Sequence, residues 1–169
     1  MRVTLKPFGP VDAAVLEHLR RELGIFGSVE VAPEATVPPN AYDPKRRQYR
    51  AAQFLDASRD EPGDRVLAIT AEDLYADNLN FVFGYASIRD RYAVISTARL
   101  HDAKPSRYLE RALKEAVHEI GHTLGLEHDP DPACVMHFSN RLADTDRKGT
   151  AFCRRCQGTV TFTLKHLGR

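Results

Sequence analysis

Apolar and polar residues follow strand and helix periods in turn along the first third of the chain. Residues 1–8 alternate apolar with polar side chains, which predicts a half-buried strand. Residues 11–24 place their larger apolar side chains on one helical face and end at a glycine, so they predict an amphipathic helix. The valine-rich segment 27–37 predicts a second strand, and the spacing within 46–58 predicts a second helix.

Three further strands are predicted before the longest helix. The apolar run at 65–70 is typical of a buried strand, and segments 80–87 and 92–97 predict two more, separated by a polar turn at 89–91. Strands that alternate with helices indicate the α/β fold class with a mixed sheet. The 169 residues suit one compact domain over 1–169.

The best-supported helix begins at Pro105, because proline is favoured in the first turn of helices. Apolar residues then recur at three- and four-residue intervals along one face: Leu109, Leu113, Ala116, Val117, Ile120 and Leu124. Gly125 can end this helix, since glycine readily adopts positive φ. The residues that carry chemistry lie in the last two turns of the helix and just beyond it.

This helix ends in the sequence His-Glu-Ile-Gly-His-Thr-Leu-Gly-Leu-Glu-His, which begins at His118. Residues four apart share a helix face, so His118 and His122 can reach one zinc ion at about 2.0–2.1 Å. A turn at Gly125 lets His128 return as a third ligand and leaves one position open, as in catalytic zinc sites. Glu119 lies beside the metal without binding it, where a general base can accept a proton from water.

The paired histidines could be ordinary core histidines, but the added Gly-x-x-His makes that alternative much weaker. The complete pattern is the signature of metzincin zinc hydrolases. Metzincins also have a methionine turn beneath the metal, and Met136 lies eight residues past His128. Its polarizable thioether would form an apolar floor under the imidazoles, with an ordinary core methionine as the alternative.

Composition and charge narrow the partners and the location. The chain is 43% hydrophobic and 28% charged, and its formal charge of +1 gives no field for nucleic acid or an acidic membrane. No segment approaches the roughly 18 apolar residues of a membrane helix. The N-terminus lacks the apolar core of a signal peptide and is interrupted by Pro7 and Pro10. We therefore expect a cytoplasmic protein, and a monomer.

All three cysteines, Cys134, Cys153 and Cys156, lie near the C-terminus. An odd number of cysteines in a cytoplasmic chain argues against disulfides and favours a metal or redox role. A thioredoxin-like redox pair at Cys153 and Cys156 is the weaker alternative, because that motif normally opens a helix near the start of an α/β unit.

The motifs together resemble one family. The extended histidine pattern, followed by Cys134-Val-Met136 and by Cys153-x-x-Cys156, is similar to the archaemetzincins, which are small cytosolic metalloproteases. The resemblance covers most of the chain. It implies a metzincin-like (zincin) fold, with a twisted mixed sheet, helices that include the zinc-binding helix, a Met-turn and a small C-terminal part stapled by zinc.

Two further segments, 70–75 and 81–84, resemble the sheet region of the same family. We therefore expect the sheet and the active-site helix within 1–125, and the Met-turn with the structural-zinc part within 126–169. Segment 81–87 is the predicted edge strand above the cleft, where an extended peptide would pair through main-chain hydrogen bonds.

The resemblance also implies a second, structural zinc ion held by four cysteines. This chain has only Cys134, Cys153 and Cys156, and Asp129 stands where the family usually has cysteine directly after the third histidine. A carboxylate oxygen binds zinc at about 2.0–2.2 Å, so Asp129 is the predicted fourth ligand, with His137 as its main competitor. We therefore expect two zinc ions per chain, one catalytic and one structural.

These features predict a zinc metallopeptidase that acts on a peptide or protein substrate. A metal-activated water would lose its proton to Glu119 and attack the peptide carbonyl, and Glu119 would pass the proton to the leaving amine. Two alternatives stay open: a latent or non-catalytic zinc-stapled binding module, and a zinc-dependent RNA hydrolase, which Glu119 and the near-neutral charge disfavour. Phe138 stands where some metzincins carry a tyrosine, so the oxyanion donor is not identified.

Overall fold

The computed structural model describes residues 1–76, 78–88 and 90–167, so Arg89 of the predicted turn lies outside the described residues. The strands are β1 (Arg2–Phe8), β2 (Ser28–Val31), β3 (Tyr42–Asp43), β4 (Gln48–Arg50), β5 (Arg65–Thr70), β6 (Leu74–Tyr75), β7 (Gly84–Ala86) and β8 (Tyr92–Ser96). The helices are α1 (Ala13–Glu22), α2 (Ala51–Ala57), α3 (Pro105–Thr123), α4 (Leu142–Arg147) and α5 (Arg154–His166).

The main sheet has five strands in the order β2-β1-β5-β8-β7. Strands β2, β1, β5 and β8 run parallel to one another. The last strand, β7, pairs with β8 in the antiparallel direction. A smaller three-stranded sheet has the order β3-β4-β6. The predicted α/β fold with a twisted mixed sheet is therefore confirmed, and β7 forms one edge of the main sheet.

Successive side chains of the central strands pack into two different hydrophobic cores, one on each face of the sheet. In β5, Leu67 and Ile69 pack with apolar residues of α1 and α3, whereas Val66 and Ala68 pack with those of α2. This division follows from the strand period of two, which sends neighbouring side chains to opposite faces. A parallel strand covered on both faces must be apolar throughout, which explains the continuous apolar run in the sequence.

The long helix α3 has 19 residues and begins at Pro105, as the sequence predicts. Its apolar face packs on the same core as Leu67 and Ile69, and the helix contacts β5, β8 and β7. Leu124 caps its end, and Gly125 follows with a φ of 90°. The sheet thus fixes α3 so that its last two turns lie next to the edge strand.

Several predicted elements are shorter than their sequence pattern. The helix predicted over 46–58 is wrong in its first turn, because Arg47 has a φ of 58° and residues 48–50 form β4. The side chain of Gln48 is bonded to Asp73 and to the carbonyl of Asn80, so distant partners hold this stretch extended. The strands predicted over 27–37 and 80–87 shorten to β2 and β7. Helices α4 and α5 were not predicted.

No helix among the described residues is both long enough and apolar enough to cross a membrane.

Candidate metal centres and active-site cleft

His118 and His122 lie one turn apart near the end of α3, with their ring Nε2 atoms 3.0 Å from each other. Each ring is oriented by its other nitrogen. His118 Nδ1 lies 2.8 Å from the carbonyl of Val135, and His122 Nδ1 lies 2.8 Å from that of Leu126. A carbonyl oxygen can only accept a hydrogen bond, so both Nδ1 atoms carry the proton and both Nε2 atoms present a lone pair.

His128 returns to the same point after the turn at Gly125. Its ring centroid is 5.3 Å from that of His118 and 4.9 Å from that of His122. One nitrogen from each of the three rings lies within 4.8 Å of the others. The structure therefore brings together the three predicted ligands, and it does so through the glycine turn that the sequence indicates.

The donor set of this histidine cluster suits a zinc ion. Two neutral imidazoles that point lone pairs at each other across 3.0 Å repel, unless a cation lies between them. Burial lowers the pKa of His118 and of His122, and it lowers the pKa of His128 to about 4. The rings are thus neutral near pH 7, the form in which histidine binds metals.

Glu119 projects from the same turn of α3 and is buried beside the edge strand. A Cβ atom at Gly84 would lie 2.5 Å from Glu119 Oε1 and 2.6 Å from its Cγ, so only glycine in β7 leaves room for this carboxylate. Burial and then the charge of Glu115 raise the pKa of Glu119 well above its ordinary value, and Lys148 opposes them. A carboxyl group with a raised pKa is better matched to proton transfer near pH 7.

A buried ion pair lies under these turns of α3. Lys148 Nζ is 3.2 Å from Glu115 Oε1, and Thr145 donates a hydrogen bond of 3.0 Å to the same oxygen. Lys148 is fully buried, and its Nζ is also 3.5 Å from the carbonyl of His137. The pair ties α3 to the chain that follows the Met-turn. Sequence reasoning missed it, because Lys148 lies in a polar stretch with no periodic signal.

Met136 is fully buried and packs against Gly121, the glycine between His118 and His122. Neighbouring backbone groups also serve the site. Val135 orients His118, and the carbonyl of Met136 accepts a hydrogen bond of 3.0 Å from the amide of Asp129. The predicted Met-turn therefore lies against the histidine helix.

A cleft of about 540 Å³ opens onto the histidine cluster. It is lined by the three histidines, Glu119, Glu115, β7 and residues 138–140. Three of its lining side chains are large, apolar and exposed: Leu79, Ile88 and Phe138. The ring of Phe138 lies against His128, with centroids 5.0 Å apart. The cleft therefore has apolar side chains at its rim, and histidine and glutamate side chains at its floor.

The second cluster consists of Asp129, Cys134, Cys153 and Cys156, whose ligand atoms all lie within 4.8 Å of one another. Asp129 Oδ2 is 3.2 Å from the sulfur of Cys153 and 3.2 Å from that of Cys156. Cys134 Sγ accepts a hydrogen bond from the amide of Cys153. Three thiols and one carboxyl oxygen around a common point suit a closed tetrahedral zinc site.

The competing ligand His137 is not part of this cluster. Its Nδ1 lies 2.9 Å from the backbone carbonyl of Asp129, which can only accept a hydrogen bond. The redox alternative also loses support. Cys153-x-x-Cys156 does open a helix, α5, but both thiols face Asp129 Oδ2 and form one cluster with Cys134, which suits a shared metal ion better than an isolated redox pair.

Comparison with known proteins agrees with this arrangement. The profile of peptidase family M54 matches residues 44–161. An archaemetzincin from Methanopyrus kandleri is 50% identical over 163 residues, which cover 94% of this chain and 93% of the relative. The chain belongs to the archaemetzincins, peptidase family M54. It is thus a member of a family of zinc-dependent peptidases.

Solved archaemetzincin structures have the same fold. The crystal structure from Methanopyrus kandleri matches with a TM-score of 0.91 at 44% sequence identity, and covers 98% of this chain and 96% of that one. The structure from Archaeoglobus fulgidus matches with a TM-score of 0.87 at 40% identity, over 94% and 99% of the two chains. The metzincin-like fold expected from the motifs is confirmed.

Proposed function

We propose that the chain is a zinc peptidase in which His118, His122 and His128 hold the catalytic ion and Glu119 is the general base. The observation that carries this proposal is the convergence of two unprotonated Nε2 atoms and a third imidazole at the floor of a cleft. When bound, zinc supplies a Lewis acid that polarises the scissile carbonyl and acidifies water in the site.

The surroundings of Glu119 support a role in proton transfer. Its carboxylate lies between β7 and the histidine turn, where it can accept a proton from the attacking water and return it to the leaving nitrogen. Gly84 gives the carboxylate its space, and Lys148 keeps the neighbouring Glu115 paired. The close approach of Gly84 limits where the Glu119 carboxylate can point.

The substrate would lie along β7. This strand lines the cleft, forms an edge of the sheet and pairs with β8 on one side, so its other side can accept an extended peptide. The apolar rim of Leu79, Ile88 and Phe138 favours peptides with apolar side chains near the scissile bond. A complex with a peptide inhibitor in which the main chain makes no hydrogen bond to 81–87 would contradict this docking.

The RNA-hydrolase alternative finds less support in the cleft. No lysine or arginine occurs among its described lining residues, whereas phosphate binding depends on such cations. The latent-module alternative requires a closed or disabled site, and this cleft has both a large volume and the full histidine and glutamate set.

The direct test compares the zinc-loaded wild type with Glu119→Gln on a peptide library, with cleavage read by mass spectrometry. Glutamine has nearly the same shape but cannot act as a base, so we expect turnover to fall by about 10²–10⁴-fold. Zinc content should stay unchanged, because Glu119 is not a ligand. Equal turnover in the two metal-loaded proteins would exclude the mechanism, and no cleavage by wild type would favour the latent module.

We further propose that Cys134, Cys153, Cys156 and Asp129 hold a structural zinc ion. Wild type should then contain two zinc ions per chain by elemental analysis. Asp129→Ala should lose one ion and lower the melting temperature, whereas His137→Ala should do neither, because that ring bonds a backbone carbonyl outside the cluster. One ion in fully loaded wild type, or a response to His137→Ala alone, would overturn the assignment.

A further inference from the structure

The carboxylate of Asp129 is held at both oxygens. Oδ1 accepts a hydrogen bond of 2.9 Å from the amide of Asp131, and Oδ2 faces the thiols of Cys153 and Cys156 at 3.2 Å each. The residue is 5% exposed. A thiolate binds zinc through one atom, but a carboxylate has two oxygens and a soft terminal torsion, so its orientation must be fixed from outside.

Arg155 supplies that fixation. Its Nη2 lies 2.7 Å and its Nε 3.2 Å from Asp129 Oδ2, the same oxygen that faces the thiols. Arg155 belongs to the first turn of α5, between Cys153 and Cys156, while 70% of its side chain is exposed. One short segment thus places two thiols and a guanidinium around a single carboxylate oxygen.

The guanidinium of Arg155 also affects the net charge of the cysteine cluster. Three thiolates and a carboxylate carry more negative charge than a divalent zinc ion can neutralise. The guanidinium of Arg155 is in contact with the Asp129 carboxylate, whereas the neighbouring Arg154 is exposed and forms no ion pair with that carboxylate among the described residues. Groups that hydrogen-bond to metal ligands orient them, and their loss typically costs about 10–100-fold in metal affinity.

We propose that Arg155 is a positioning residue for Asp129, which directs Oδ2 toward the metal and offsets the negative charge of the cysteine cluster, and so determines how tightly the second ion is retained. This inference rests on the structural zinc site proposed above. It concerns a guanidinium outside the set of ligands, and it is independent of the peptidase activity.

The test uses the full chain loaded with cobalt(II), because thiolate-to-cobalt charge transfer in the near ultraviolet reports the cysteine cluster and not the histidine cluster. Chelator competition then gives the cobalt affinity of that cluster alone. We expect Arg155→Ala to weaken it by about 10–100-fold. Arg154→Ala is the matched control, since it removes the same charge one residue away, and it should change the affinity by less than about twofold. Arg155→Lys keeps the charge but loses the planar fork, so it should lie between them.

A second background isolates the role of the carboxylate. In Asp129→Cys the fourth ligand is a thiolate that needs no orientation, so adding Arg155→Ala there should change the affinity by only a few-fold. The inference is overturned if Arg155→Ala leaves the affinity unchanged or tightens it, or if its effect is the same in the Asp129→Cys background. Wild type without the charge-transfer band would reject both the second metal site and this role of Arg155, and would leave the catalytic proposal intact.

Discussion

The side chain of Met136 fills the space that a side chain at Gly121 would occupy. A Cβ atom built on Gly121 would overlap Met136 Sδ and lie 3.2 Å from its Cε, and Phe152 closes the same space with a ring carbon at 3.2 Å. The glycine between the two helical histidines is thus required by the methionine that packs against the helix. Two features that look separate in the sequence, the Gly of the histidine motif and the Met-turn, are one packing contact.

This contact predicts that Gly121→Ala destabilises the protein. A helix interior is more stable with alanine than with glycine by about 1 kcal/mol. Overpacking a buried contact, however, costs about 1–3 kcal/mol. We expect a net loss of up to about 2 kcal/mol in the free energy of unfolding, measured with denaturant. Gly158→Ala in α5 is the matched control, because nothing lies within 4 Å of its added Cβ, and it should stabilise the protein. Equal effects of the two substitutions would contradict the packing argument.

Gly84→Ala should impair catalysis while leaving the fold intact. The new Cβ would lie 2.5 Å from Glu119 Oε1, so the carboxylate must move, and displacement of a reacting group by about 1 Å can cost 10²-fold in rate. We expect kcat to fall at least about 10-fold, with unchanged zinc content and melting temperature. Gly24→Ala adds the same methyl group where nothing lies within 4 Å and should keep full activity. Full activity in Gly84→Ala would mean that Glu119 has more freedom than its contacts indicate.

The catalytic helix was predictable because its signals are local. His118, Glu119 and His122 fall at helical spacing within an apolar stripe, and Gly125 marks the turn that returns His128. The domain division at residue 125 stays a prediction. The contact of Asp129 with Cys153 and Cys156 bridges more than twenty residues of chain, so the sequence alone suggested it only through the cysteine pattern and the resemblance.

Elements that depend on distant partners could not be predicted. Gln48 lies in a helical pattern, yet its bonds to Asp73 and Asn80 hold it in a strand. Lys148 belongs to a polar stretch and becomes fully buried only because Glu115 faces it from α3. The i,i+4 spacing of Arg111 and Glu115 predicts a pair on the solvated side of the helix, and this is wrong, because Glu115 is buried and pairs with Lys148.

A pH-dependent contribution to stability is predicted for Asp146. Its two oxygens pair with the buried guanidinium of Arg111 at 2.7 and 2.8 Å, and this contact holds the pKa of Asp146 below its ordinary value. A carboxyl group whose pKa is lowered by folding contributes its full stabilisation above the pKa of the unfolded chain, which is about 4. This stabilisation is lost as the pH falls through the pKa of the folded protein. Asp146→Asn should therefore cost about 1 kcal/mol at pH 7, since partial exposure screens the pair.

The loss caused by Asp146→Asn should shrink as denaturation is repeated below about pH 4. Asp60→Asn serves as the control, because Asp60 is exposed and no ion pair is found for it among the described residues. That control should match wild type at every pH. A difference between Asp146→Asn and wild type that stays constant down to pH 2 would assign the loss to packing rather than to charge.

Residues of the two metal clusters are adjacent in the chain, so metal binding at one cluster should affect the metal affinity of the other. Asp129 of the cysteine cluster directly follows His128, and its amide donates to the carbonyl of Met136. Cys134 directly precedes Val135, whose carbonyl orients the ring of His118. Two of the three histidines therefore depend for their position on residues beside the second cluster.

We expect Cys156→Ser, which removes a ligand of the cysteine cluster that is not adjacent in sequence to any of the histidines, to weaken zinc binding at the histidine cluster by at least about fivefold. Thr159→Ala, an exposed change on the same helix, should leave it unchanged. Equilibrium coupling acts in both directions, so emptying the histidine cluster by His122→Ala should also weaken cobalt binding at the cysteine cluster. Chelator competition measures both constants. Equal zinc affinity of the histidine cluster in wild type and Cys156→Ser would show that the clusters act independently.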